Sequence, residues 1–162
     1  MISAAVVILG FVTLQRLAEL PLARRNTRQL IADGAREHGA GHYPLLVALH
    51  VAWLAALWWW APGRPVNLPV LALFALLQLG RLWVLATLGR RWTTRIIVLP
   101  GAPLVRRGPY RFVDHPNYIV VALEIAILPL VFGLVELALV FSLLNGAILF
   151  VRIRSENRAL SR

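Results

Sequence analysis

The sequence contains neither cysteine nor lysine, and only 15% of its 162 residues are charged. The absence of cysteine excludes disulfides, thiolate catalysis and cysteine-ligated metal, and the absence of lysine excludes a lysine Schiff base. Soluble proteins carry about 25% charged residues. A soluble domain of this size has too little interior to bury a sequence that is 59% hydrophobic. The composition therefore indicates a membrane protein.

Five apolar runs are long enough to cross a bilayer, because about 20 apolar residues span its hydrocarbon core. Only Gly133 separates the fourth and fifth runs, so they are expected to form an antiparallel helical hairpin. The fold class predicted is an all-α, polytopic membrane helical bundle of about five transmembrane helices, forming a single domain over residues 1–162. The predicted spans cover residues 2–22, 43–61, 66–89, 116–132 and 134–151.

The basic residues, all of them arginine, are concentrated on one side of this arrangement. Fourteen of the seventeen follow the first, third or fifth run; Arg64 lies on the other side, and Arg16 and Arg81 fall within spans. The positive-inside rule predicts an inner-membrane protein with its N-terminus outside and its C-terminus in the cytoplasm. This topology explains the net charge of +10 without a nucleic-acid partner. The first run lacks a preceding basic residue and an A-x-A site, so no cleaved signal peptide is expected.

Residues 89–118 connect the third and fourth runs and are long for a connection in so small a protein. Their aromatic and branched side chains favour a folded element at the membrane surface. The segment ends with Asp114-His115-Pro116, and proline suits the first position of a helix. His115 is therefore expected at a helix N-terminus, whose amides and dipole attract anions. A plain helix start with an interfacial His115 is the alternative.

Four charged residues fall inside the predicted spans, where charges are costly and usually face the protein interior. Arg16 and Glu19 lie three residues apart on the first helix and are expected to pair with each other. Arg81 and Glu124 each lie roughly 12 Å, or eight residues, from the same membrane face. An ion pair between Arg81 and Glu124 is therefore predicted.

Other polar residues point to fewer functions. His42 and His50 lack the spacing of a helical metal site and no acidic cluster accompanies them, so no metal is predicted. The aromatic run 58–60 is typical of an interfacial anchor. Arg152 and Glu156 lie four residues apart and share a face of the fifth helix where it leaves the bilayer. A solvated helix end would explain the arginines there but not the acid.

The run RRGPYRFVDHPNY resembles a signature of the isoprenylcysteine carboxyl methyltransferase family, R-G-P-Y-x-x-x-x-H-P-x-Y. In that family a helical hairpin follows, and then an R-I-x-x-E-E-like motif. The N-terminal half, with RLAELPLARRN and HYPLLVALH, is similar to the small bacterial branch, in which one relative O-methylates alkylpyrones. Asn157 stands where the family has a second closing acid. The matching residues are Arg107, Gly108, Pro109, Tyr110, His115, Pro116, Tyr118, Arg152, Ile153 and Glu156.

This resemblance implies a methyltransferase that uses S-adenosylmethionine, with a cofactor-binding core at about residues 89–162. Arg152 and Glu156 are assigned to catalysis, since a guanidinium orients an ionised acceptor oxygen without titrating. Arg95 and Glu124 are assigned to substrate binding. The expected partners are a lipophilic small-molecule substrate and membrane lipid. The residues assigned to cofactor binding are Arg107, Gly108, Tyr110, His115, Pro116, Tyr118 and Glu156.

The function predicted is O-methylation of a lipophilic enol or carboxylic acid, such as an alkylpyrone-like polyketide, at the cytoplasmic membrane face. A prenylated cysteine carboxylate or a lipid headgroup is the alternative acceptor. A protein of another class, a non-catalytic scaffold that binds anionic lipid through its arginines, would show salt-sensitive lipid binding and no affinity for the cofactor. The sequence leaves the oligomeric state open.

Overall fold

The computed structural model describes residues 3–160 and contains five α-helices over that range. Four of them are long and apolar enough to cross a membrane. The fourth helix has 16 residues and is about 24 Å long, somewhat shorter than a hydrocarbon core. The predicted all-α polytopic bundle is confirmed. The helices are α1 (Ala4–Ala32), α2 (Tyr43–Trp60), α3 (Leu68–Leu88), α4 (Pro116–Val131) and α5 (Val135–Ala159).

The helix ends follow from local sequence. The Asn67 side chain accepts a hydrogen bond from the Val70 amide and caps α3. Pro116 occupies the first position of α4, as predicted, and His115 before it has non-helical backbone angles. Gly133 has a φ of +67°, which turns the chain tightly between α4 and α5. The predicted C-terminal hairpin is therefore present.

The larger apolar core joins all five helices in the half of the bundle that contains the α4–α5 turn. Leu9, Trp53, Leu57, Leu128 and Phe132 are each at most 1% exposed there. Many large apolar side chains instead point outward on every long helix. In a bilayer these outward side chains contact lipid, so the small core suffices.

The arginine-rich chain segments meet at the other end of the bundle. A short strand after α1, β1 (Arg36–His38), pairs antiparallel with one after α3, β2 (Ile96–Val98). The Asn26 side chain donates to the carbonyls of Gly89 and Trp92, which ties the second segment to α1. The end of α5 reaches the same place. The two-stranded sheet was not predicted from the sequence.

Candidate functional site

A cavity of about 400 Å³ extends from the arginine-rich end into the bundle. All five helices and β2 contribute to its wall. Its volume falls in the usual range of small-molecule sites, about 300–1,000 Å³. Six of the predicted site residues line it: Arg95, Tyr110, His115, Tyr118, Arg152 and Glu156.

The entrance of α4 and the end of α5 meet at the outer part of this cavity. The Tyr118 hydroxyl donates to Glu156 Oε2 over 2.6 Å. His115 Nε2 lies 3.0 Å from Asn157 Oδ1, and His115 Nδ1 lies 3.8 Å from Glu156 Oε2. The rings of His115 and Tyr118 stack with centroids 5.5 Å apart. Asn157 thus positions His115.

Arg152 is a buried cation whose charge is not neutralised by a carboxylate of the described residues. It is 3% exposed, and its Nη2 donates to the Thr94 carbonyl over 3.0 Å. Its guanidinium lies 5.7 Å from the centre of the Tyr118 ring. Within residues 3–160 it forms no ion pair, and its Nε has no hydrogen-bond partner. Since buried charges are normally paired, this arrangement suits an anionic ligand.

Tyr110 and Arg95 complete the polar part of the wall. Burial, with the nearby Glu156 charge, raises the pKa of Tyr110 above the ordinary tyrosine value, so its phenol is neutral. Arg95 Nη1 donates to both oxygens of Glu37, at 3.0 and 2.9 Å, and its guanidinium lies over the Tyr43 ring. Arg95 is therefore a partly exposed, paired cation at the cavity wall.

Three of the predicted cofactor-binding residues do not line the cavity. Arg107 is exposed and donates to the Thr87 carbonyl over 3.3 Å, which holds the loop against the end of α3. Gly108 has a φ of +56°, and a Cβ there would collide with the Thr87 side chain. Pro116 is buried as the first residue of α4. These three residues therefore shape the loop and the start of α4, whereas direct contact with the cofactor was predicted for them.

Glu124 lies behind the cavity wall in a cluster of four charges. It is fully buried and accepts hydrogen bonds from Arg16 Nη2 at 2.6 Å, Arg81 Nη1 at 2.9 Å and Gln78 Nε2 at 2.9 Å. The predicted Arg81–Glu124 pair is present. With its lone pairs so engaged, Glu124 orients the two arginines, a role different from the substrate contact predicted for it.

Glu19 completes this cluster, and its predicted pair with Arg16 is present as the longer of two ion pairs that Arg16 forms. Glu19 binds the Arg81 guanidinium through both carboxylate oxygens. Arg16 lies 3.7 Å from Glu19 but only 2.6 Å from Glu124. The shorter, interhelical contact dominates, so Arg16 pairs chiefly with Glu124. Sequence spacing shows neighbours on one helix but not which helices pack together.

Several cavity residues were not predicted from the sequence. The Tyr43 hydroxyl lies 3.0 Å from Thr94 Oγ1 and joins the start of α2 to the 89–98 segment. Trp92 is 3% exposed and lines the same wall. The Thr93-Thr94 pair and the aromatic residues near it carry no pattern specific enough to mark a site. Over residues 3–160, no group of three or more histidines and acids is placed to hold a metal ion.

A polytopic helical bundle whose cavity extends inward from its arginine-rich end defines an integral membrane protein. The sequence profile of the isoprenylcysteine carboxyl methyltransferase (ICMT) family matches residues 70–162. This region contains α4, α5 and the loop before them, which form the outer part of the cavity. The chain belongs to the ICMT family, a family of membrane methyltransferases.

Relatives of similar length are found in two bacteria. The chain is 36% identical over 166 residues to the uncharacterized protein YpbQ of Bacillus subtilis, with 94% of each chain covered. It is 31% identical over 155 residues to an uncharacterized protein of Haemophilus influenzae, covering 90% of this chain and 88% of the relative. No solved structure matches the chain significantly.

Proposed function

We propose that this protein is an S-adenosylmethionine-dependent O-methyltransferase that acts on a lipophilic enol or carboxylic acid, such as an alkylpyrone-like polyketide. The observation that carries the proposal is Arg152, a buried cation with no ion pair in the described part of the chain, near the separate carboxylate of Glu156. Glu156 complements the ammonium of the cofactor's amino-acid part, and Arg152 complements the anionic oxygen of the methyl acceptor. The residues present therefore fit this cofactor.

When bound, S-adenosylmethionine would supply a methyl group that is activated by its attachment to a sulfonium, and transfer of this group to an acceptor oxygen would leave S-adenosylhomocysteine. Arg152 orients an anionic oxygen and, as a guanidinium, never protonates it. Glu156 is held by the Tyr118 hydroxyl and faces His115. The stacked rings of His115 and Tyr118 offer π faces to a cationic or aromatic group. An acceptor that is already ionised needs no strong base.

The cavity also suits a water-poor methyl transfer. Part of its wall is apolar, with side chains from α1 and α2 such as Leu17, Leu20, Leu46 and Val47. A hydrocarbon tail placed there displaces water and holds the acceptor head near Arg152. We further propose that the arginine-rich end faces the cytoplasm, following the positive-inside rule, and that the acceptor enters from the inner membrane.

Methyl transfer from labelled S-adenosylmethionine tests the proposal. Purified protein in lipid nanodiscs is expected to methylate a long-chain enol or acid, and Arg152→Ala or Glu156→Gln to abolish that transfer. Arg154→Ala is the matched control for Arg152→Ala, because Arg154 is exposed on α5 and lies outside the cavity. Wild-type turnover in the Arg152 and Glu156 variants would refute these roles. Transfer only to a prenylated cysteine or a lipid headgroup would replace the acceptor class.

A further inference from the structure

The inner end of the cavity has no role in the methyl-transfer proposal. It is lined by Arg16, Glu19, His50 and Trp53 on α1 and α2, and by Arg81 on α3. The first four residues lie outside residues 70–162, the part of the chain that the ICMT profile matches, whereas Arg81 lies inside it. Most of this polar inner end is therefore formed by the part of the chain before the matched region.

Two of the polar residues at the inner end, Arg16 and Trp53, lie at similar depth. Trp58 Nε1 donates to Thr13 Oγ1 over 3.0 Å, which fixes the register between the antiparallel helices α1 and α2. Arg16 is three residues beyond Thr13, and Trp53 is five residues before Trp58. At 1.5 Å per residue, Arg16 and Trp53 lie within about 3 Å of each other in depth.

Unpaired donors in the cavity wall indicate what the ligand presents. Among the described residues, the cavity-lining side chains have four buried nitrogen atoms without a hydrogen-bond partner, and all four are N–H donors. Buried polar groups are nearly always paired. The cavity therefore suits a ligand rich in acceptor oxygens. The four atoms are Arg16 Nε and Trp53 Nε1 at the inner end, and Trp92 Nε1 and Arg152 Nε at the outer end.

The charge at the inner end selects a neutral group. Arg16 and Arg81 are balanced by Glu19 and Glu124, so the cluster has no net charge. A further buried anion would be unpaired there and costly. The outer end differs, because Arg152 has no carboxylate partner within the described chain. A carbonyl or ether oxygen satisfies the inner donors without adding charge.

We propose that the inner end is a second subsite, in which Arg16 and Trp53 bind a neutral carbonyl-type oxygen on the hydrocarbon tail of the methyl acceptor. Tyr118, at the outer end, and Glu124, behind the inner end, are six residues apart on α4, so the two ends are separated by about 9 Å. The wall between them includes apolar residues such as Leu20, Leu46 and Val121. The subsite selects tails oxygenated at mid-chain over plain hydrocarbon tails. This inference rests on the proposed function for the placement of the methylated oxygen near Arg152.

Binding of matched fatty acids tests the subsite without requiring turnover. The probes are hexadecanoic acid and three oxohexadecanoic acids with the ketone near the carboxylate, at mid-chain or near the methyl end. Calorimetry on the full-length protein in nanodiscs is expected to show roughly fivefold tighter binding of the mid-chain isomer than of hexadecanoic acid, the effect of one added hydrogen bond. In Trp53→Phe, which keeps an aromatic ring but removes the N–H, that preference is expected to disappear.

The control variant is Trp59→Phe, because Trp59 is 82% exposed and lies outside the cavity wall; it is expected to keep the preference. Equal affinity for all four acids in the wild-type protein would overturn the subsite, as would an unchanged preference in Trp53→Phe. The wild-type isomer series decides the question even if the variant fails to fold. Labelled methyl transfer to the same acids is measured separately. If the acids are methylated but bind without isomer preference, the subsite alone is refuted. If the mid-chain isomer is preferred but no acid is methylated, the proposed function is refuted.

Discussion

Replacing Glu124 by glutamine removes one of the two negative charges from the buried cluster of Arg16, Glu19, Arg81 and Glu124. The lost carboxylate is fully buried and binds Arg16 at 2.6 Å and Arg81 at 2.9 Å. Arg81 keeps its two hydrogen bonds to Glu19, whereas Arg16 keeps only a 3.7 Å contact. The variant therefore contains one unneutralised cation, and its free energy of unfolding is expected to fall by about 3–5 kcal/mol.

A second substitution, Arg16→Gln, tests this explanation. Alone it leaves the cluster with one surplus negative charge and is expected to cost about 2 kcal/mol, less than a fully buried charge because Arg16 is 20% exposed. Combined with Glu124→Gln it restores neutrality and leaves the Arg81–Glu19 pair intact. The free energy lost in the double variant is then expected to fall short of the sum of the two single losses by about 2 kcal/mol.

Unfolding in detergent micelles, followed by tryptophan fluorescence, measures these differences. Glu136→Gln is the control, since Glu136 is exposed in the first turn of α5 and is expected to change stability by less than about 0.5 kcal/mol. If the stability loss of the double variant equals the sum of the two single losses to within about 0.5 kcal/mol, charge balance does not stabilise this cluster.

Three further predictions concern the loop before α4 and the start of that helix. In thermal unfolding, Gly108→Ala is expected to destabilise the protein more than Gly101→Ala does. Both glycines have a positive φ, but only Gly108 lacks space for a Cβ. Equal effects of the two substitutions would count against close packing of the loop. Tyr110 has a raised pKa, so its contribution to stability is full below about pH 10 and is lost as the pH rises further. In Tyr110→Phe, the free energy of unfolding is expected to fall less between about pH 10 and higher pH than in the wild-type protein. The same fall in both proteins would contradict a raised pKa for Tyr110. Tyr118→Phe removes the 2.6 Å hydrogen bond to Glu156 and is expected to weaken S-adenosylmethionine binding about tenfold by calorimetry; unaltered affinity would disprove its role in the site.

Most of the helical architecture was predictable because apolar runs in a bilayer have few alternatives to helix. The boundaries differ where the helix continues past the apolar run. The first predicted span ends at residue 22, whereas α1 continues to Ala32 through a polar, arginine-rich stretch. The β1–β2 pairing was not predictable, since strands of three residues carry no periodic signal and pair across 58 to 62 residues of chain.

The candidate site was predictable in part. The Arg81–Glu124 pair was predictable because the two residues lie at the same depth in their helices. That Arg16 on α1 reaches the same carboxylate was not predictable. That contact depends on which helices pack together. For the same reason, exchanging the charges of Arg81 and Glu124 would not restore a native cluster, because a carboxylate at position 81 would face Glu19. The outer site followed from motif residues, whereas Trp53 became a candidate only through its position in the cavity.

Calorimetric titration of the purified protein with S-adenosylmethionine tests the central claim most directly. The wild-type protein and the Arg154→Ala control are expected to bind one equivalent, and Glu156→Gln to bind much more weakly, because Glu156 is the one acid that lines the outer end of the cavity within residues 3–160. Absence of measurable binding by the wild-type protein, or equal affinity in Glu156→Gln, would contradict a cofactor site formed where α4 begins and α5 ends.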